Sequence, residues 1–94
     1  IFTSTATGND PAYDAMAKAM YKLAQQQPGF LRMESARSEL GITVSYWQSL
    51  EAIAAWRQAS EHQVAQKLGR EKWYESYHVR VCKVEREYSF NFQP

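Results

Sequence analysis

The 94-residue chain carries 11 Lys and Arg against 10 Asp and Glu, with 45% apolar and 14% aromatic residues. That composition describes one folded domain over residues 1–94 and excludes a disordered chain. A net charge of +1 leaves no basic excess to neutralise phosphates, which argues against nucleic acid as a partner, and no apolar run approaches the roughly 18 residues of a membrane span.

The first segment, Ile1 to Thr5, is β-branched and aromatic and reads as a strand. Its first residue is Ile rather than Met, so the natural chain is expected to extend upstream. A loop follows, and Asp10-Pro11 then gives a helix start: a capping carboxylate, then proline at the first helical position. Tyr13, Met16, Ala17, Met20, Leu23 and Ala24 form a stripe of helical period, and Pro28-Gly29 ends the helix near Gln27. Phe30 to Ser38 alternates as a second strand, and Ser38 to Gly41 is a turn. The third strand, Gly41 to Trp47, puts Ile42, Val44 and Tyr46 on one face and Thr43, Ser45 and Trp47 on the other.

Ser49 is the expected cap of a short helix running to about Ala59. Ser60 with Gln63 reads as a capping box, so a second helical piece is expected from there, with Val64, Ala65 and Leu68 on its apolar side. The final strand is expected over Tyr77 to Tyr88, followed by a tail, "SFNFQP". The order β-α-β-β-α-β, with the second helix in two pieces, is the split βαβ of an α+β, ferredoxin-like fold. Its antiparallel sheet carries both helices on one face. Whichever face that is, the other still bears Ile42, Val44 and Tyr46 or Trp47, so a homodimer that hides it is expected.

Five side chains stand out as candidates for chemistry. Trp56 is spaced six and three residues from Leu50 and Ile53, so it either anchors the helix to the sheet or lines a pocket beside it. His62 falls in the first turn of the expected second helical piece, where the dipole disfavours an imidazolium; a neutral imidazole there suits a general base, and a surface or capping histidine is the alternative. Trp73 and Tyr77 lie in "KWYESYH", which is either packing between helix and strand or a pocket wall with hydroxyls for a polar edge. Trp47 belongs to the same set through its place at the end of the third strand. His78 is the only other histidine, 16 residues from His62, so no metal site is expected. Cys82 is the only cysteine, which excludes an intrachain disulfide and leads to the expectation of a reducing, cytoplasmic setting.

The stretches "QQPGFLRMESAR", "GITVSYWQSLEAIAAWRQASEH" and "LGREKWYESYHVRVCKVEREY" resemble the antibiotic biosynthesis monooxygenase domain family over nearly the whole chain. The resemblance implies ferredoxin-like chains paired into a dimeric α/β barrel. It implies a cofactor-independent monooxygenase acting on a small aromatic or polyketide-like molecule, with His62 as catalytic proton acceptor and Trp47, Trp56, Trp73 and Tyr77 as substrate-binding walls. No cofactor and no metal are expected, because such a substrate supplies its own electrons. The family also includes members of other kinds, so a non-catalytic, stress-associated or ligand-binding module is the alternative from a different class. Its heme-degrading branch uses a first-strand asparagine and a histidine that would fall near Gln66; here Asn9 is in the loop and His62 comes too early.

Overall fold

A computed structural model describes residues 1–6, 11–68 and 74–93. Its elements follow in the expected order: β1 (Phe2–Ala6), α1 (Pro11–Gln25), β2 (Phe30–Arg37), β3 (Gly41–Trp47), α2 (Leu50–Leu68) and β4 (Tyr74–Val79). The four strands form one sheet in the order β2-β3-β1-β4, with every neighbouring pair antiparallel. Two helices and an antiparallel sheet in this order make an α+β, ferredoxin-like chain. Helix α1 touches β2 and α2, and α2 touches β3.

The turn between α1 and β2 shows how local sequence fixes the packing. Gln26 and Gln27 donate to the carbonyls of Leu23 and Ala24, which winds down the helix, and Gly29 then adopts a φ of 84°. Gln48 N–H donates to the Gly29 carbonyl at 2.9 Å, tying this turn to the end of β3. A Cβ on Gly29 would lie 2.7 Å from the Ala52 Cβ, so the glycine serves both the backbone angle and the close approach of α2.

Two expectations from the sequence are corrected. Helix α2 is one continuous element of 19 residues, not two pieces. Ser49 caps it as expected, accepting from Ala52 N–H at 3.1 Å. Ser60, in contrast, does not start a new helix: its hydroxyl donates back to the Arg57 carbonyl at 3.0 Å, inside the same helix. The Arg57–Glu61 pair, four residues apart at 3.1 Å, bridges the same turn, and the alanines at 54, 55 and 59 favour continuation. Strand β4 is also shorter than expected and begins earlier. Its ladder with β1 reaches Ile1 and Arg80, whose backbone groups exchange bonds of 2.7 and 2.8 Å, and no described strand lies beside residues 81–93. Period-2 patterning marks a segment that can pair; a strand also needs a partner.

Register assigns the two faces of the sheet. Trp47 stacks on Trp56 of α2, so the row Thr43, Ser45 and Trp47 faces the helices. Cross-strand pairing puts Met33, Ser35 and Arg37 of β2, Phe2 and Ser4 of β1, and Tyr77 and Val79 of β4 on that same side. The opposite face holds Ile42, Val44 and Tyr46 with Arg32, Glu34, Thr3 and His78, and no helix covers it among the described residues. Arg32 lies over the Tyr46 ring there, 4.4 Å from its centroid.

Burial is shallow. Among the described residues only Met16 and Ala24 are buried apolar side chains, and no large side chain is fully buried. The chain exposes 7866 Å². A folded chain of 10.9 kDa is expected to expose roughly 5,600 Å², so the excess is roughly 2,300 Å². The radius of gyration, 14.7 Å, likewise exceeds the roughly 12 Å of a compact chain of this length.

Candidate functional site

The helix-facing side of the sheet carries two separate aromatic groups. At one end, Trp47 stacks on Trp56 with centroids 5.6 Å apart and planes 26° from parallel, and Phe30 meets the Trp47 ring edge-on at 5.3 Å and 76°. Local sequence explains this meeting: Phe30 opens β2 directly opposite Trp47 at the close of β3, and Trp56 stands six residues into α2 on the side of Ile53 and Ala52. All three rings are half-buried. The Trp47 indole N–H is satisfied by Ser45 Oγ at 2.9 Å. Half-buried rings with a satisfied polar edge can hold an apolar, flat molecule by stacking.

The second group is Phe2 and Tyr77, stacked at 5.4 Å and 20°. Tyr77 stands opposite Ser4, which stands opposite Gly41, six residues along β3 from Trp47. Six residues of strand are about 20 Å, so the fold does not bring Tyr77 to the Trp47–Trp56 stack. Tyr77 is 61% exposed.

His62 lies within α2 rather than at a helix start, so the dipole argument for a neutral imidazole has no N-terminus to act through. It is exposed. Six residues separate it from Trp56, which is about 9 Å along the helix and about 120° around it. The imidazole therefore stands on the outer side of α2, apart from the aromatic stack. Trp73, with Asn9, lies outside the described residues. Gln66 is within α2. Among the described residues no group of three or more His, Cys, Asp or Glu side chains stands close enough to hold a metal.

One arrangement was not anticipated from the sequence. Ser4 is only 2% exposed, and Arg37 Nη2 donates to its hydroxyl across the sheet. Gly41 lies between them in register, paired with Ser4 on one side and Arg37 on the other. A Cβ at Gly41 would collide with the Arg37 guanidinium, so this glycine keeps the path open. The signal in the sequence is faint: Arg37 and Gly41 close a hairpin, and nothing local says that the arginine turns inward toward β1. Phe30 likewise carries no signal in the sequence beyond opening a strand.

The family model described as antibiotic biosynthesis monooxygenase matches residues 2–68. The uncharacterized protein YqjZ of Bacillus subtilis (strain 168) is 52% identical over 92 residues, covering 96% of this chain and 81% of the relative. The jasmonate monooxygenase ABM of Pyricularia oryzae (strain 70-15) is 35% identical over 43 residues, 46% of this chain and 20% of that relative.

Proposed function

This chain belongs to the antibiotic biosynthesis monooxygenase family, and from that premise we propose that it is a cofactor-independent monooxygenase of a small aromatic or polyketide-like molecule, working as a homodimer. The observation that carries the reading is the Trp47–Trp56 stack with Phe30 at its edge, a half-buried aromatic surface on the helix side of the sheet. The fungal relative named as a jasmonate monooxygenase supports oxygenation as the reaction class.

In this proposal the substrate's flat body packs on the Trp47 and Trp56 rings. Phe30 at the edge of the stack closes one side, and His62 at the outer rim of α2 accepts the acidic proton of a substrate that reaches past the stack. The deprotonated substrate then reduces molecular oxygen. One oxygen atom becomes a new carbonyl on the substrate, the other leaves as water with the two hydrogens the substrate has lost, and no other reductant is consumed. An exposed free thiol at Cys82 fits a reducing compartment, and we place the activity in the cytoplasm on that ground. No described helix is long and apolar enough to cross a membrane.

Oxygen uptake with a panel of hydroxylated anthrones and quinols tests the reaction. Turnover is expected in the parent and a loss of 100-fold or more in His62→Ala, in the range that loss of a general base costs. Unchanged turnover in an active His62→Ala enzyme removes the histidine from the mechanism. The outward placement of His62 favours one second reading: the aromatic surface binds a hydrophobic molecule without turning it over. A tightly held apolar molecule in native mass spectra, with no oxygen uptake from any panel member, selects that reading.

A further inference from the structure

Ser45 sits at the inner border of the aromatic surface. Its place in β3 puts it on the helix-facing side, two residues before Trp47 and opposite Met33 of β2. It is half-buried, as Trp47 is. The indole N–H of Trp47 donates to Ser45 Oγ at 2.9 Å, so the serine is the acceptor in that bond. An indole offers a donor and no acceptor, so the hydroxyl hydrogen cannot return the bond and turns away from Nε1. Among the described residues, the bond from Trp47 is the only hydrogen bond of this hydroxyl.

The charged side chains nearest in sequence and in register turn elsewhere. Arg32 and Glu34, on either side of Met33, point to the opposite face of the sheet, where Arg32 lies over Tyr46. Arg57, which follows Trp56, is well exposed and pairs with Glu61 along α2. What borders the hydroxyl on its own face is Thr43, Met33 and the ring of Trp47, with Trp56 stacked on that ring.

We infer that Ser45 is the polar anchor of the Trp47–Trp56 surface: its hydroxyl donates a hydrogen bond to an oxygen on the edge of a flat, uncharged substrate, and so selects oxygen-bearing rings over bare or carboxylated ones. The inference rests on the binding surface of the proposed function and names the substrate class that this surface prefers. A hydroxyl whose oxygen already accepts a bond is polarised for donation, since chained hydrogen bonds reinforce one another. Trp47 thus serves one ligand twice: its ring supplies stacking area, and its N–H fixes the donor beside that area. A ring with a ketone or phenolic oxygen satisfies both. A bare ring leaves a half-buried hydroxyl without an acceptor. A carboxylate sheds water for one neutral donor and no cation. The bond strengthens when the substrate gives up its proton, because the oxygen then carries the charge.

Equilibrium dialysis of the full chain against 2-naphthol, naphthalene and 2-naphthoate at neutral pH tests the anchor, with Ser45→Ala and Ser45→Thr beside the parent. The parent is expected to bind 2-naphthol about 3- to 10-fold tighter than naphthalene, as one neutral hydrogen bond allows, and 2-naphthoate more weakly than 2-naphthol. Ser45→Ala is expected to abolish the preference for 2-naphthol while naphthalene binding stays unchanged. Ser45→Thr keeps a hydroxyl and should keep the preference. The exciton signal of the stacked tryptophans in circular dichroism checks that the stack persists in each variant. A preference that survives Ser45→Ala overturns the anchor and leaves the aromatic surface standing. Joint loss of naphthalene binding and of the exciton signal in Ser45→Ala makes the serine a support for the Trp47 ring alone, which also overturns the anchor. Binding of 2-naphthoate as tight as that of 2-naphthol overturns the selection of uncharged rings. A parent that binds none of the three overturns both the anchor and the binding surface on which the proposed function rests.

Discussion

Trp47 stacks on Trp56 across the junction of β3 and α2, with ring centroids 5.6 Å apart and planes 26° from parallel. One contact thereby joins packing and binding. The rings fix the start of α2 against the end of the sheet, and they remain half-buried, so part of each stays open to a ligand.

Trp56→Ala should therefore cost less than the removal of a fully buried ring. A tryptophan buries roughly 150–250 Å², and losing about half of that with one stacking partner gives about 2–3 kcal/mol. In a domain of this size the melting temperature should fall by roughly 10 °C or more. Trp56→Phe should keep most of the stability and bind aromatic ligands more weakly, which thermal unfolding and a ligand titration read separately. Equal ligand affinity in parent and Trp56→Phe, beside a large melting shift, would show a ring that only packs.

The two serines of α2 make a paired prediction. Ser49→Ala removes the acceptor for Ala52 N–H and should cost about 1 kcal/mol. Ser60→Ala removes only a hydroxyl bonded back into the same helix, and denaturant unfolding should show stability unchanged within about 0.5 kcal/mol. A cost at Ser60 as large as that at Ser49 would restore a helix start there.

Gly29→Ala should destabilise by about 2–3 kcal/mol. The substitution places an L residue at a φ of 84° and drives its Cβ toward Ala52. Chemical denaturation of Gly29→Ala and of Gly29→Ala/Ala52→Gly separates the two causes: the second glycine should recover the part due to collision and leave the part due to the backbone.

Arg37→Met should remove the guanidinium donor from the buried Ser4 hydroxyl, at a cost of about 1–2 kcal/mol. Ser4→Ala in the Arg37→Met background should then cost less than Ser4→Ala alone. A double-mutant cycle with no coupling between the two positions would show that the cross-sheet bond adds nothing to stability.

The sequence determined the element order, the cap at Ser49 and the break at Pro28-Gly29, because these depend on neighbours within a few residues. Pro11 starts α1, Ser49 caps α2, and β3 runs from Gly41 to Trp47 as the alternation requires. It also singled out Trp47 and Trp56, since rings at the end of a strand and on the stripe of the following helix are brought together by the connection between them. The continuity of α2 was not legible. Ser60 with Gln63 satisfies a capping pattern, and only the geometry of the folded helix shows the hydroxyl turned back to Arg57. The extent of β4 was decided in the same way: alternation continues well past Val79, but a strand lasts only where another backbone lies alongside. The Arg37–Ser4 bond spans 33 residues of sequence and crosses Gly41 between them, and the separation of Tyr77 from Trp47 follows from register across three strands. Local pattern carries the information for elements and their faces. Distances between elements are set by which strands pair and in what register, and that is decided only when the whole sheet closes.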